Sequence, residues 1–180
     1  MRVRSRSIEM NNDFYINLEG LKEGNHEFQY QLDKSFFQSI DYAEIENGNF
    51  NVGLRLHKST RHFELKFTFK GEVEVICDQC AEPFFYPMLF LTETIVRFGE
   101  EEYDDDDLII LDKNNPVFDV KHYIYESIFI SLPLKLVHPT VKGVSGCNPE
   151  TIKKLEELKQ NKENDKESDP RWDALKKLNK

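Results

Sequence analysis

The sequence predicts an α+β protein: mainly antiparallel β-sheet or a partly open barrel, a few short helices, and a helical, partly disordered C-terminal tail. Three observations carry that prediction. Apolar and polar residues alternate through much of the first two thirds, the period-two pattern of strands with one wet face. Fourteen Phe and seven Tyr supply core bulk despite a mean hydropathy of −0.61. Finally, 180 residues suit one domain of ordinary size with length left for a tail.

In chain order, Phe14, Ile16 and Leu18 alternate with polar neighbours, as do Phe28, Tyr30 and Leu32. Phe36, Phe37 and Ile40 suit one or two helical turns between Lys34 and Ile40. Asn47-Gly48-Asn49 has the composition of a hairpin turn,. Val52, Leu54 and Leu56 alternate after it, followed by the clearest run, Phe63, Leu65, Phe67 and Phe69. Lys70-Gly71-Glu72 reads as a bulge or turn before Val73 and Val75,. Leu108 to Leu111 forms a short buried strand. Asp119 is placed to cap a helix carrying Val120, Ile124 and Ile128 and ending before Pro133, with a strand as the competing reading,.

A single β-rich domain is expected over residues 1–148 and a helical tail over 149–180. Asn148, Pro149 and Glu150 supply a cap, a first-turn proline and an acidic first turn for a helix bearing Ile152, Leu155 and Leu158,. Residues 160–168 contain no apolar side chain and read as a flexible linker. Residues 169–178 repeat the start signal, with Trp172, Leu175 and Leu178 recurring every three residues. That segment is too short to be a stable helix alone, so it must dock on something.

The formal charge of −9 argues at first against a nucleic-acid partner,. Its distribution changes the reading. Residues 1–70 hold ten basic and ten acidic side chains, residues 71–120 hold two and fourteen, and residues 121–180 hold twelve and nine. The acidity peaks in residues 100–107, which include Asp104, Asp105, Asp106 and Asp107, an acidic loop by its self-repulsion. Basic patches lie at Arg2, Arg4 and Arg6, at Lys153 and Lys154, and at Lys176 and Lys177. No apolar run reaches the ~20 residues of a spanning helix, and the basic start leads into no signal-peptide core. Three cysteines are an odd number for a secreted disulfide framework,, so a cytoplasmic protein with reduced thiols is expected.

Cys77-Asp78-Gln79-Cys80 is a C-x-x-C directly after a strand. That spacing brings two sulfurs to one side of a turn, as a tetrahedral Zn²⁺ requires. Cys147 supplies a third thiolate and His138, nine residues earlier, the best-placed imidazole. Gly143 and Gly146 free the backbone between them to turn back,. His122, on the predicted helix among aromatics, reads as a core histidine. Two buried inert thiols or a redox pair are the competing readings of the C-x-x-C. No phosphate loop, G-x-S-x-G or H-E-x-x-H occurs,, and no feature points to a small-molecule substrate.

Three features occur in order: Cys77-Asp-Gln-Cys80-Ala-Glu-Pro-Phe; Glu126-Ser-Ile-Phe-Ile-Ser-Leu-Pro133-Leu-Lys-Leu-Val-His138 leading to Cys147; and Asp169-Pro-Arg-Trp-Asp-Ala-Leu-Lys-Lys-Leu. Over roughly residues 50–180 the chain resembles the YceD family, bacterial and plastid proteins named for large ribosomal RNA subunit accumulation. The resemblance implies a cytosolic factor in ribosome assembly or rRNA processing, without established catalytic activity. The family pattern falls on Cys77, Cys80, His138 and Cys147, and many members carry Cys where this chain has His138.

The expected function is therefore a non-catalytic ribosome-biogenesis factor supporting accumulation or processing of large-subunit (23S) rRNA. Its cofactor would be a structural zinc, and its partner ribosomal RNA or a large-subunit ribosomal protein. Trp172, Leu175 and Leu178 would anchor the docking segment, and Asp104–Asp107 would hold a basic protein. The alternative is a thiol–disulfide or metal-dependent enzyme using Cys77 and Cys80.

Overall fold

The computed structural model describes residues 9–10, 14–99, 108–141 and 144–164. Arg2, Arg4, Arg6, Asp104–Asp107, Gly143, Trp172, Leu175, Lys176, Lys177 and Leu178 lie outside the described residues. No helix among the described residues is long and apolar enough to cross a membrane. The chain packs as two compact units, one of Met1–Val75 with Phe84–Leu134, the other of Ile76–Pro83 with Lys135–Lys180. The units follow contacts rather than chain order.

The first unit is built on a six-stranded open sheet in the order β1-β3-β4-β5-β6-β7. Its strands are β1 (Glu9–Met10), β3 (Gly24–Leu32), β4 (Gly48–Lys58), β5 (Phe63–Ile76), β6 (Pro83–Phe98) and β7 (Leu108–Leu111). A separate two-stranded ladder of three residue pairs joins β2 (Tyr15–Asn17) to β8 (Val117–Asp119), Ile16 opposite Phe118. The sheet remains open rather than closing into a barrel. β3, β4 and β5 are antiparallel neighbours, whereas β1 beside β3 and β7 beside β6 run parallel. The alternation of side chains carries no strand direction, so those two pairings leave no trace in the hydrophobic pattern.

One sheet face is the core. Phe50, Val52, Leu54 and Leu56 of β4 meet Phe63, Leu65, Phe67 and Phe69 of β5, all buried. Helix α1 (Lys34–Gln38) and helix α2 (Val120–Ile130) cover that face, bringing Phe37, Ile124 and Ile128, each fully buried. The Tyr123 ring lies 4.8 Å from Phe67, and Phe69 stacks on Phe90 at 4.4 Å. Helix α2 starts at Asp119, the cap the sequence predicts, and α1 at Asp33, a cap the sequence reading did not single out. Asp33 accepts from the N–H groups of Ser35 and Phe36, and Asp119 from those of Lys121 and His122, satisfying otherwise orphaned donors.

Four local readings change. Asn47-Gly48-Asn49 is not a hairpin turn, because Gly48 and Asn49 already belong to β4 and α1 lies between β3 and β4. Gly48 is small for another reason: a Cβ there would sit 2.9 Å from the Phe37 ring. Gly71 is neither bulge nor turn, since it lies in an unbroken β4–β5 register opposite Phe50. A Cβ on it would lie 2.1 Å from the Asn49 carbonyl oxygen and 2.7 Å from Phe50 Cγ. Leu108–Leu111 is half-buried, not buried. His122 is exposed and pairs with Glu126 one turn on, at 3.0 Å, rather than lying in the core,.

In the second unit, β9 (Thr140–Val141) and β10 (Val144–Ser145) form a small hairpin before helix α3 (Pro149–Asn164). Asn148 caps α3, its side-chain oxygen accepting from Glu150 N–H at 3.0 Å. The helix continues through Gln160–Asn164, the start of the stretch expected to be a linker. Absence of apolar residues forbids burial but not helix, and Lys, Glu and Gln are good helix formers.

Candidate metal centre

The first half of the site is the turn that leaves β5. Cys77 N–H donates to Glu82 O at 3.0 Å and Ala81 N–H donates to Cys77 O at 2.9 Å. Ala81 sits at φ 59, a left-handed conformation that ends the turn sharply. The result presents both cysteine sulfurs on one side, and Gln79 N–H donates to Cys77 Sγ at 3.4 Å.

The second half comes from the chain after Leu134. Asp78 clamps it: its N–H donates to Leu136 O at 2.7 Å, and Leu136 N–H donates to its carboxylate at 2.6 Å. Two residues later His138 reaches the turn. The β9–β10 hairpin then reverses the chain so that Cys147 returns to the same place. Gly146 allows the return, since a Cβ there would lie 3.1 Å from His138 Cβ and 3.2 Å from Pro139 O. Asn148 Nδ2 donates to Glu82 Oε1 at 2.7 Å, fastening the start of α3 to the turn.

Four ligand atoms converge. The sulfurs of Cys77, Cys80 and Cys147 and a ring nitrogen of His138 all lie within 4.8 Å of one another. Cys77 Sγ is 3.7 Å from Cys147 Sγ, and His138 Nδ1 is 3.4 Å from Cys80 Sγ and 3.7 Å from Cys147 Sγ. The three cysteines are free and buried, and His138 is half-buried. Tetrahedral zinc with Zn–S of about 2.3 Å and Zn–N of about 2.0 Å requires sulfurs about 3.8 Å apart and a sulfur and nitrogen about 3.5 Å apart. The three separations match that requirement, so the residues fit a four-coordinate Cys₃His site with His138 ligating through Nδ1.

The Cys77 thiol is held well below its ordinary value of 9.0, at about 6. Burial, the largest single influence, pushes it up; N–H donors of Cys80, Gln79 and His138, with the His138 side chain, more than offset that. A thiolate at neutral pH is the form that binds metal. In metal-free protein the depressed value favours folding fully above pH 9, progressively less as pH falls toward 6, and not at all below,. The melting temperature of chelator-treated protein is therefore expected to rise between pH 6 and 9. In Cys77→Ser that rise should be absent, as calorimetry across the pH series would read.

Of the other residues singled out in the sequence, Lys153 and Lys154 are exposed on α3. The Asp78 clamp and the Glu82–Asn148 bond are positioning features that residue spacing alone does not reveal. Asp78→Ala removes one charge-assisted hydrogen bond, from Leu136 N–H, beside Cys77 and two residues before His138. Metal affinity should fall about tenfold, as for other groups that orient ligands without touching the metal. A competitive chelator titration measures it.

Residues 65–179 match the protein-family profile described as large ribosomal RNA subunit accumulation protein YceD. No curated protein and no solved structure matches the chain.

Proposed function

The chain belongs to the YceD family of large ribosomal RNA subunit accumulation proteins, and from that premise we propose that it acts as a non-catalytic, cytoplasmic factor in large-subunit biogenesis. In this reading it supports accumulation or processing of 23S rRNA by binding the rRNA or a large-subunit ribosomal protein. The observation that carries it is the extent of the match, which takes in all four metal-ligand positions. The centre serves as a structural pin, joining the strand-end turn to the chain after Leu134 by a zinc ion. Closed structural sites use four protein ligands, whereas a hydrolytic zinc keeps a position for water. Burial of all three thiols also favours a structural over a redox role, because catalytic cysteines are partly exposed,.

Trp172, Leu175 and Leu178 are proposed as anchors of a docking segment and Asp104–Asp107 as a contact for a basic partner. Depletion of the protein should lower large-subunit rRNA relative to small-subunit rRNA, with rescue by the wild-type chain. An unchanged ratio would remove the proposal. Rescue that fails for a chain lacking residues 169–180, with melting unchanged, would assign the docking role to that segment.

A further inference from the structure

The sheet face opposite the core is uncovered by any described element and forms a continuous trough. Three adjoining grooves of about 550, 390 and 250 Å³ share Glu27 and Arg55, then Glu64 and Lys66, along their edges. From the Gln31–Asn51 pair to the Asn25–His57 pair, β3 and β4 run side by side for seven residues, about 20 Å. That is the length of an extended segment of about seven residues.

At its centre lies Gly53, flanked in register by Gln29 and Thr68. A glycine within a strand costs roughly 0.5–1 kcal/mol relative to alanine. Nothing inside the protein requires it here. Its φ is not positive, the ladder on both sides is unbroken, and a Cβ would meet no atom within 4 Å. Glycine at such a position marks close approach by another backbone from outside. Around it, the side chains of Gln29, Gln31, Asn51 and Thr68 make no hydrogen bond among the described residues, their main chains being paired in the ladders. These groups both donate and accept, matching a peptide main chain rather than an acceptor-only phosphate.

The charged groups lining the three grooves are Glu27, Glu64 and Glu93 against Arg55 and Lys66. Arg55 and Lys66 are already committed to Glu27 and Glu93. The excess of carboxylates disfavours a polyanion and favours a cationic chain.

We propose that this trough is a docking surface for an extended, Lys/Arg-rich segment of a partner protein, its main chain lying over Gly53 and bonded to Gln29, Gln31, Asn51 and Thr68. The proposal rests on the assembly-factor reading only for the partner's identity. Gly53→Val tests it, because a side chain there fills the trough without meeting the protein. The probes are overlapping 12-residue peptides from the basic segments of large-subunit ribosomal proteins, acidic peptides of equal length, and a 12-nucleotide single-stranded RNA, titrated by fluorescence anisotropy. The full chain should bind basic peptides over acidic ones. Gly53→Val should weaken that binding tenfold or more at an equal or higher melting temperature, and Glu27→Lys should weaken it too. Three results would each overturn it: no preference for basic peptides, unaltered binding by Gly53→Val, or RNA as the ligand displaced by that substitution. A normal depletion-and-rescue result beside any of these leaves the family role standing and removes this surface alone.

Discussion

Cys147→Ala is expected to lower bound zinc from about one equivalent to less than a tenth, because a closed site with three remaining ligands loses its tetrahedral geometry. Structural zinc sites in small peptides contribute about 10–16 kcal/mol of apparent binding free energy, which is folding free energy where no preformed site exists. Here the loss should be local. The ligands all lie within the unit of Ile76–Pro83 and Lys135–Lys180, so amide protection should fall around residues 77–82 and 135–148. The core strands β4 and β5, with Phe50, Phe67 and Phe69 fully buried, should keep theirs. Elemental analysis of untagged protein combined with hydrogen exchange reads both effects. Protein purified without zinc that folds and protects these segments normally would dismiss the pin.

Gly71→Ala is expected to destabilise the sheet by about 3 kcal/mol or more, at the upper end of overpacking effects. The added methyl group would lie 2.1 Å from a backbone oxygen and 2.7 Å from the Phe50 Cα and ring. The near neighbours are main chain and a fully buried aromatic, neither of which can swing away. For a protein of this size the melting temperature should drop by about 6–12 °C. Gly53→Ala, the contrasting change on the neighbouring strand, meets no atom within 4 Å and should leave melting unchanged or raise it slightly. Equal effects at both positions would show that close packing at Phe50 does not govern Gly71.

The central strands, the Asp119-capped and Asn148-capped helices and the set of four clustered Cys and His residues are legible in the sequence, because each rests on local rules. Period-two alternation marks Phe63–Phe69, and an Asp before an apolar i, i+4 series marks α2. A C-x-x-C narrows the partners to the one other Cys and a near His. What was not legible depends on tertiary neighbours. Gly48 and Gly71 resemble turn residues until Phe37 and Phe50 are seen above them. His122 resembles a core residue until α2 is oriented with Val120, Ile124 and Ile128 inward. The clamp by Asp78 requires knowing that Leu136 passes beside it, 58 residues away in sequence.

The separation of the metal ligands also bears on the timing of synthesis. Cys77 and Cys147 stand 70 residues apart, so half of the ligand set leaves the ribosome well before the other half. A lone C-x-x-C offers two of the four ligands a closed site needs. Tight loading must therefore wait until the nascent chain has passed Cys147, by which point the strands of the large sheet have already been made. An ion held there would close that loop and withdraw about 4 kcal/mol of chain entropy from the unfolded ensemble, on the cross-link scale. Zinc capture at this cluster would then be a late event in synthesis, dependent on Cys147 having been made.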